Sequence, residues 1–297
     1  MSSTVIVPLD GSETAEQALP FARLLAERQG ARVVLMSVLE VSSEFHAWVD
    51  TAPYSLEEEI KSWIDERQTY LQGHAEAFGP DTKTLVRVGR PAQEICAVVE
   101  EFEDPLLVMA SHGRGGIQQF VLGSVALKVV QDVNTPVVVV RIREDHEPPQ
   151  DLKCLLLPLD GSEFSEQIVD EVLRIASEPR PRLVLVHVLE APTWASHSFN
   201  AGLVGQYIQA TREMVEEQLT AIAARLSEAG YEVEWSIRNG NAGDEIIAAA
   251  EECEASMIAM ATHGRSGLGR LLLGSVAQRV LNRATVPLLL VHPKAEA

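Results

Sequence analysis

Two copies of one pattern, 151 residues apart, constrain this 297-residue chain more than any other feature. Ala110-Ser111-His112-Gly113-Arg114-Gly115-Gly116 runs on to Leu122-Gly123-Ser124. Ala261-Thr262-His263-Gly264-Arg265-Ser266-Gly267 runs on to Leu273-Gly274-Ser275 with the same internal spacing. The first copy follows an apolar run, Leu106 to Met109, that suits a buried parallel strand, and precedes a helical pattern from Val125 to Val130. A strand, a glycine-bearing loop and a helix N-terminus make an anion-friendly corner. Backbone N–H groups converge there, and the helix dipole adds positive potential.

The repetition extends beyond the loop. Leu155 to Ser162 repeats Val5 to Ser12, and Val186 to Glu190 repeats Met36 to Glu40. Gly240 with Glu245-Ile246 repeats Gly89 with Glu94-Ile95, and Thr285 to Val291 repeats the closing strand after Thr135-Pro136. This is a tandem duplication of one domain, not a solenoid, because a copy of about 145 residues can fill its own core. The expected division is a first domain over 1–143, a linker over 144–151 and a second domain over 152–297, with the linker inside the charged, proline-bearing stretch 142–152.

Within the first copy, Thr4 to Leu9 is β-branched and apolar and ends at Asp10-Gly11-Ser12, a turn with an N-cap in Ser12. Apolar residues from Ala15 to Ala26 recur at helical spacing, which predicts a helix over 13–29 with Gly30 as its stop. Strands follow over 32–39 and 84–88, helices over 56–78 and 91–102, and a last strand over Val137 to Val140. Residues 41–55 have no clear period and read as a long loop. Strands alternating with helices imply βαβ units with right-handed crossovers and a parallel sheet.

The chain is 46% hydrophobic and carries a formal net charge of -19. Residues 1–150 hold 12 basic and 23 acidic side chains, and the rest hold 12 and 20. Neither half offers the clustered Lys and Arg that nucleic-acid phosphates require. No apolar run approaches the roughly 18 residues of a membrane span. Met1-Ser2-Ser3-Thr4 leads straight into a strand, without the basic start and apolar stretch of a signal peptide, so the expected compartment is the cytoplasm. Cys96, Cys154 and Cys253 form no C-x-x-C pair. Cys96 and Cys253 fall on helical, core-like faces, so all three read as small buried hydrophobes.

The doubled landmarks carry a family resemblance. Pro-Leu-Asp-Gly-Ser closes the first strand of each copy, Ser/Thr-His-Gly-Arg follows the fourth, and Gly-Ser-Val-Ala opens the next helix. This pattern resembles the nucleotide-binding subgroup of the universal stress protein superfamily, in a tandem two-domain version. The resemblance implies an α/β fold of two Rossmann-like (adenine nucleotide alpha hydrolase-like) domains. Each would be an open five-stranded parallel sheet, order 3-2-1-4-5, with helices on both faces. The family's ATP motif is written Gly-x-x-Gly-x9-Gly-Ser/Thr. Gly113 and Gly123, then Gly264 and Gly274, match its second and third glycines, Ser124 and Ser275 match its hydroxyl, and Ala110 and Ala261 replace its first glycine.

Asp10 and Asp160 end the first strand of each copy, where open α/β sheets bind ligands. The resemblance gives these aspartates contact with adenine or ribose; alternatively, each is a turn residue leading into the next helix. Val38 and Val188 end the second strand, where the family lays adenine against the backbone. Gly113 and Gly264 would admit a pyrophosphate. Gly123-Ser124-Val125 and Gly274-Ser275-Val276 would offer N–H groups and a hydroxyl, or Ser124 and Ser275 would be ordinary N-caps. Arg114 and Arg265 either reach phosphate oxygens or lie solvated beside the loop. His112 and His263 are expected in the loop as non-catalytic groups, since no motif sets a nucleophile beside them. Trp48, Tyr54, Trp194 and Phe199 sit in or near the stretches that differ most between the copies, as flaps over a nucleotide or as surface loop.

The implied function is an ATP-binding stress-response regulator, with Mg2+ entering only with ATP and no enzymatic turnover beyond weak hydrolysis. A slow ATPase or phosphotransferase, and a nucleotide-independent interaction scaffold, are the alternatives. The fifth strands are apolar sheet edges, which are hazardous unless paired. The family uses them for dimer contacts, so the expectation is an intrachain pseudo-dimer, with further dimerisation through another surface. No membrane or nucleic-acid partner is expected.

Overall fold

The computed structural model describes residues 3–40, 55–112, 122–141, 148–190, 201–262 and 273–292. The chain divides into two compact units, Met1–Gln150 and Asp151–Ala297.

In unit 1 the elements run β1 (Thr4–Pro8), α1 (Glu13–Glu16), α2 (Leu19–Gln29), β2 (Arg32–Glu40), α3 (Ser55–Ala75), β3 (Lys83–Gly89), α4 (Pro91–Glu100), β4 (Pro105–Ala110), α5 (Ser124–Asp132) and β5 (Val137–Val140). Its strands are ordered β3-β2-β1-β4-β5, and every pairing among them is parallel. This is the order and sheet type expected from the sequence. The near-continuous apolar strands follow from it, because a parallel sheet is covered by helices on both faces. Ile6, Leu35, Leu107 and Val138 are fully buried, and Leu25 of α2, Leu71 of α3, Val98 of α4 and Val129 of α5 pack into the same core.

Unit 2 repeats the plan with β6 (Cys154–Pro158), α6 (Glu163–Ile175), β7 (Arg182–Leu189), α7 (Ala201–Glu228), β8 (Val233–Asn239), α8 (Ala242–Glu252), β9 (Met257–Ala261), α9 (Ser275–Arg283) and β10 (Leu288–Val291). The strands are ordered β10-β9-β6-β7-β8, again parallel. Leu156, Leu185, Ile258 and Leu289 occupy its fully buried layer.

One expected element differs. The single helix over 13–29 is two helices in unit 1, interrupted at residues 17 and 18. Pro20 lies at the start of α2. Lacking an N–H, it cannot bond back to the preceding turn, so the helix restarts there. Unit 2 has Ile168 and Val169 in this region, no proline, and one continuous α6. The expected stop at Gly30 is observed: Gly30 caps α2 in the left-handed conformation, φ 58°. Residues 41–54 of the expected loop and 144–147 of the expected linker lie outside the described residues.

Candidate nucleotide-sized sites at the strand ends

Each unit carries a cavity at the C-terminal ends of its central strands, the region where open parallel sheets offer a crevice. The cavity of unit 1 measures about 730 Å3 and that of unit 2 about 390 Å3. Both fall in the roughly 300–1,000 Å3 range of small-molecule sites.

The first wall is the turn after the opening strand. Leu9 N–H donates to Met36 O at 2.7 Å, which carries the chain one residue past β1 along the sheet. Gly11 then turns it with φ 82°, a conformation favouring glycine. Asp10 Oδ1 accepts from Ser12 N–H at 3.0 Å and from Ser12 Oγ at 2.6 Å. Ser12 Oγ in turn accepts from Ala15 N–H at 3.1 Å and caps α1. In unit 2, Asp160 Oδ1 accepts from Ser162 N–H at 3.0 Å and Oγ at 2.6 Å, while Ser162 Oγ accepts from Ser165 N–H at 3.1 Å. Gly161 has φ 79°. The aspartate is therefore a turn residue, and it also lines the cavity in both units. The two alternatives weighed for it coexist.

The opposite wall is the helix after the fourth strand. Gly123 N–H donates to Ser111 O at 2.9 Å, and Gly274 N–H donates to Thr262 O at the same distance. These bonds draw the starts of α5 and α9 against the ends of β4 and β9. A Cβ on Gly123 would stand 3.3 Å from Ser111 O and 3.5 Å from His112 Cα, so the close approach favours glycine. Gly123 and Gly274 are the N-cap residues, and Ser124 and Ser275 begin their helices. This corrects the ordinary N-cap alternative for the two serines. Among the described residues, no side chain caps either helix. The first-turn amides of a helix lack intrahelical partners, and here they face the cavity with the positive end of the dipole.

Ala110 and Ala261 end β4 and β9 in regular strand pairing, opposite Val140 and Val291. Neither is a positive-φ residue. The alanine that replaces the motif's first glycine thus sits where any residue fits the backbone.

The structure brings Asp10, Val38, Ala110, His112, Gly123, Ser124 and Val125 to one cavity. It brings Asp160, Val188, Ala261, Gly274, Ser275 and Val276 to the other. His112 Nδ1 lies 3.1 Å from Ser111 Oγ. Gly113, Arg114, His263, Gly264 and Arg265 lie outside the described residues, as do Trp48, Tyr54, Trp194 and Phe199.

Sequence reasoning missed several lining groups. Arg67 of α3 reaches the first cavity, and its Nη1 donates to Asp10 O at 2.7 Å. The aligned position in unit 2 is Gln218, whose Nε2 donates to Glu166 Oε1 at 2.6 Å and weakly to Gly161 O at 3.4 Å. α3 is held near the turn by Tyr70, which donates to Glu16 Oε1 at 2.9 Å. Burial and the neighbouring Glu16 carboxylate push the Tyr70 phenol well above its ordinary value. Tyr207, 47% exposed, and Thr211 of α7 line the second cavity, together with the buried His187 of β7. Arg67, Tyr207 and His187 belong to no motif, and each differs from the residue at the equivalent position of the other copy. That mismatch between the copies was the available signal.

Among the described residues, no cluster of three His, Cys, Asp or Glu is placed to hold a metal ion, and no helix is long and apolar enough to cross a membrane.

Comparison with known proteins agrees with this architecture. The model of the universal stress protein family matches residues 1–141 and 152–292. A universal stress protein of Mycolicibacterium smegmatis is 24% identical over 98% of this chain and 97% of its own length. One from Methanocaldococcus jannaschii is 30% identical over 48% of this chain and 85% of its own length. The crystal structure of a universal stress protein from Archaeoglobus fulgidus superposes with a TM-score of 0.71 at 20% identity, covering 97% of this chain and 98% of that one. With two matched domains spanning nearly all its residues, the chain belongs to the universal stress protein family.

Proposed function

We propose that each unit binds an adenine nucleotide, ATP in the first instance, and that occupancy of these sites regulates the protein's interactions rather than feeding rapid turnover. The observation that carries this reading is the doubled pairing of an oriented carboxylate with a helix start that no described side chain caps, across a cavity of ligand size.

The donor set fits such a ligand. Backbone amides at the starts of α5 and α9, with the Ser124 and Ser275 hydroxyls, are suited to phosphate oxygens. The Asp10 and Asp160 carboxylates, oriented by Ser12 and Ser162, are suited to accept from an adenine amino group or ribose hydroxyls. Val38 and Val188 offer apolar surface at the strand ends. The ligand would supply phosphate charge and, with it, any Mg2+. The chain's own residues bind and orient it. No described side chain is assigned to activate a water molecule, so slow hydrolysis or none is the expectation.

The test is the small-molecule content of the purified protein. Heat denaturation should release adenine nucleotide, and calorimetry on the stripped protein should show ATP binding with up to two sites per chain. Finding neither released nucleotide nor calorimetric binding overturns the proposal.

A further inference from the structure

Away from the nucleotide cavities, at the opposite end of β6 from Asp160, two cysteines meet. Cys154 opens β6, and Cys253 caps the C-terminus of α8. The loop after α8 is fastened to the start of β6 by backbone bonds. Ser256 N–H donates to Cys154 O at 2.8 Å, while Ser256 Oγ accepts from Lys153 N–H at 3.0 Å and Cys154 N–H at 3.4 Å. This clamp brings Cys253 beside Cys154, close enough that each thiol influences the other's protonation, while Cys253 Sγ donates weakly to Ala250 O at 3.7 Å. Cys154 is buried and Cys253 is half-buried, so Cys253 is the more accessible of the two.

A cation completes the corner. Arg182, paired in register with Cys154, donates through Nη2 to Cys253 O at 3.0 Å and through Nη1 to Glu234 Oε1 at 3.0 Å. The neighbouring Cys154 thiol and, after it, the Arg182 charge favour the Cys253 thiolate and hold that thiol down, to about 7, while the Cys253 sulfur and burial push Cys154 up. A thiolate beside a cation is the reactive form of cysteine. Unit 1 has Thr4 and Phe102 at the equivalent positions, so the fold itself does not call for the pair.

We propose that Cys154 and Cys253 are an oxidant-responsive dithiol that closes to a disulfide when hydrogen peroxide reaches Cys253. The Cys253 thiolate attacks a peroxide oxygen, the O–O bond breaks, and the sulfur is oxidised to a sulfenic acid as hydroxide leaves and takes up the proton that Cys253 had released. Cys154 then attacks the sulfenic sulfur. Its proton passes to the departing hydroxide, the S–O bond breaks, and the S–S bond forms. One peroxide and two thiols become two waters and one disulfide. The cross-link joins the first residue of β6 to the loop that leads into β9, and a dithiol reductant reverses it.

Reduced full-length protein is titrated with hydrogen peroxide at neutral pH, then denatured, alkylated and mapped by mass spectrometry. The expected result is a Cys154–Cys253 linked peptide, with both thiols lost together roughly tenfold or more faster than Cys96 and regained on reduction. In Cys154→Ser, Cys253 should instead accumulate as a sulfenic acid trapped by a carbon nucleophile; in Cys96→Ser, the linkage should form as before. Cys253 oxidised to a sulfinic acid while Cys154 remains alkylatable in the unsubstituted protein overturns the proposal. So does loss of Cys96 before either member of the pair.

Discussion

The Ser12 hydroxyl donates to Asp10 Oδ1 at 2.6 Å while Ser12 Oγ accepts from the Ala15 amide, so one serine orients the site carboxylate and starts the next helix. Ser162 does the same for Asp160 and Ser165. Replacing the cap with alanine leaves a first-turn donor without its acceptor. Ser12→Ala and Ser162→Ala should each lower stability by about 1 kcal/mol. Chemical denaturation followed by circular dichroism checks the stability; on the proposed function, calorimetry should also show weaker nucleotide binding at the altered unit.

Gly123 has an extended backbone that alanine can adopt, but its added Cβ would press on Ser111 O at 3.3 Å. Gly123→Ala should therefore fold with a change within about 1 kcal/mol, since the crowding opposes the gain from a stiffer unfolded chain. The helix start must then shift by a few tenths of an ångström, and the unit 1 site should bind ATP about tenfold more weakly, a cost of roughly 1.4 kcal/mol. Unchanged affinity in calorimetry would separate this glycine from the ligand.

Arg67 gives unit 1 a cation that unit 2 replaces with Gln218. Binding to unit 1 should therefore fall more steeply with salt than binding to unit 2. Arg67→Gln should bring the two salt dependences together. Titrations at low and high ionic strength, with one site disabled at a time, measure both slopes.

Leu107 and Leu156 are fully buried in the central strands of their units. Leu107→Ala and Leu156→Ala should each cost about 2–5 kcal/mol, because each removes buried methyl groups from the middle of a sheet and leaves a cavity. The midpoint of chemical denaturation for the affected unit reads this directly.

Alkaline pH should weaken the fold. Burial raises the Cys96 thiol from 9.0 to about 11, and Tyr70 and Tyr231 are displaced upward as well. Between those values the unfolded chain releases protons that the folded chain keeps, so stability is full below the ordinary thiol value and declines as pH rises through 9 to 11. Cys253 is displaced downward, and its alkylation rate should climb around neutral pH, well before that of Cys96. Denaturation midpoints across pH test the first statement, and residue-resolved alkylation rates test the second.

Much of this architecture could be seen in the chain because its signals are local. Apolar β-branched runs, Gly30 after a helical pattern and Asp-Gly-Ser at a strand end each depend on a few neighbouring residues. The repetition then made the doubled crevice legible, and the family resemblance implied the strand order. What escaped depends on distant residues meeting. Arg67 lies 57 positions from the carbonyl it bonds, and no spacing rule foretells which residue of α3 turns toward β1. Cys154 and Cys253 looked like separate core residues because they lie 99 positions apart and are brought near one another only through the bonds of Ser256 to the start of β6. The break before Pro20 was visible in principle, since the proline stands inside an otherwise helical pattern.

Because both crevices belong to one polypeptide, they are always made in equal number and meet the same solution. On the proposed function, mass action then treats them alike, and any inequality in their filling reports on side chains that differ between them, such as Arg67 and Gln218. The duplication makes each half the other's internal standard.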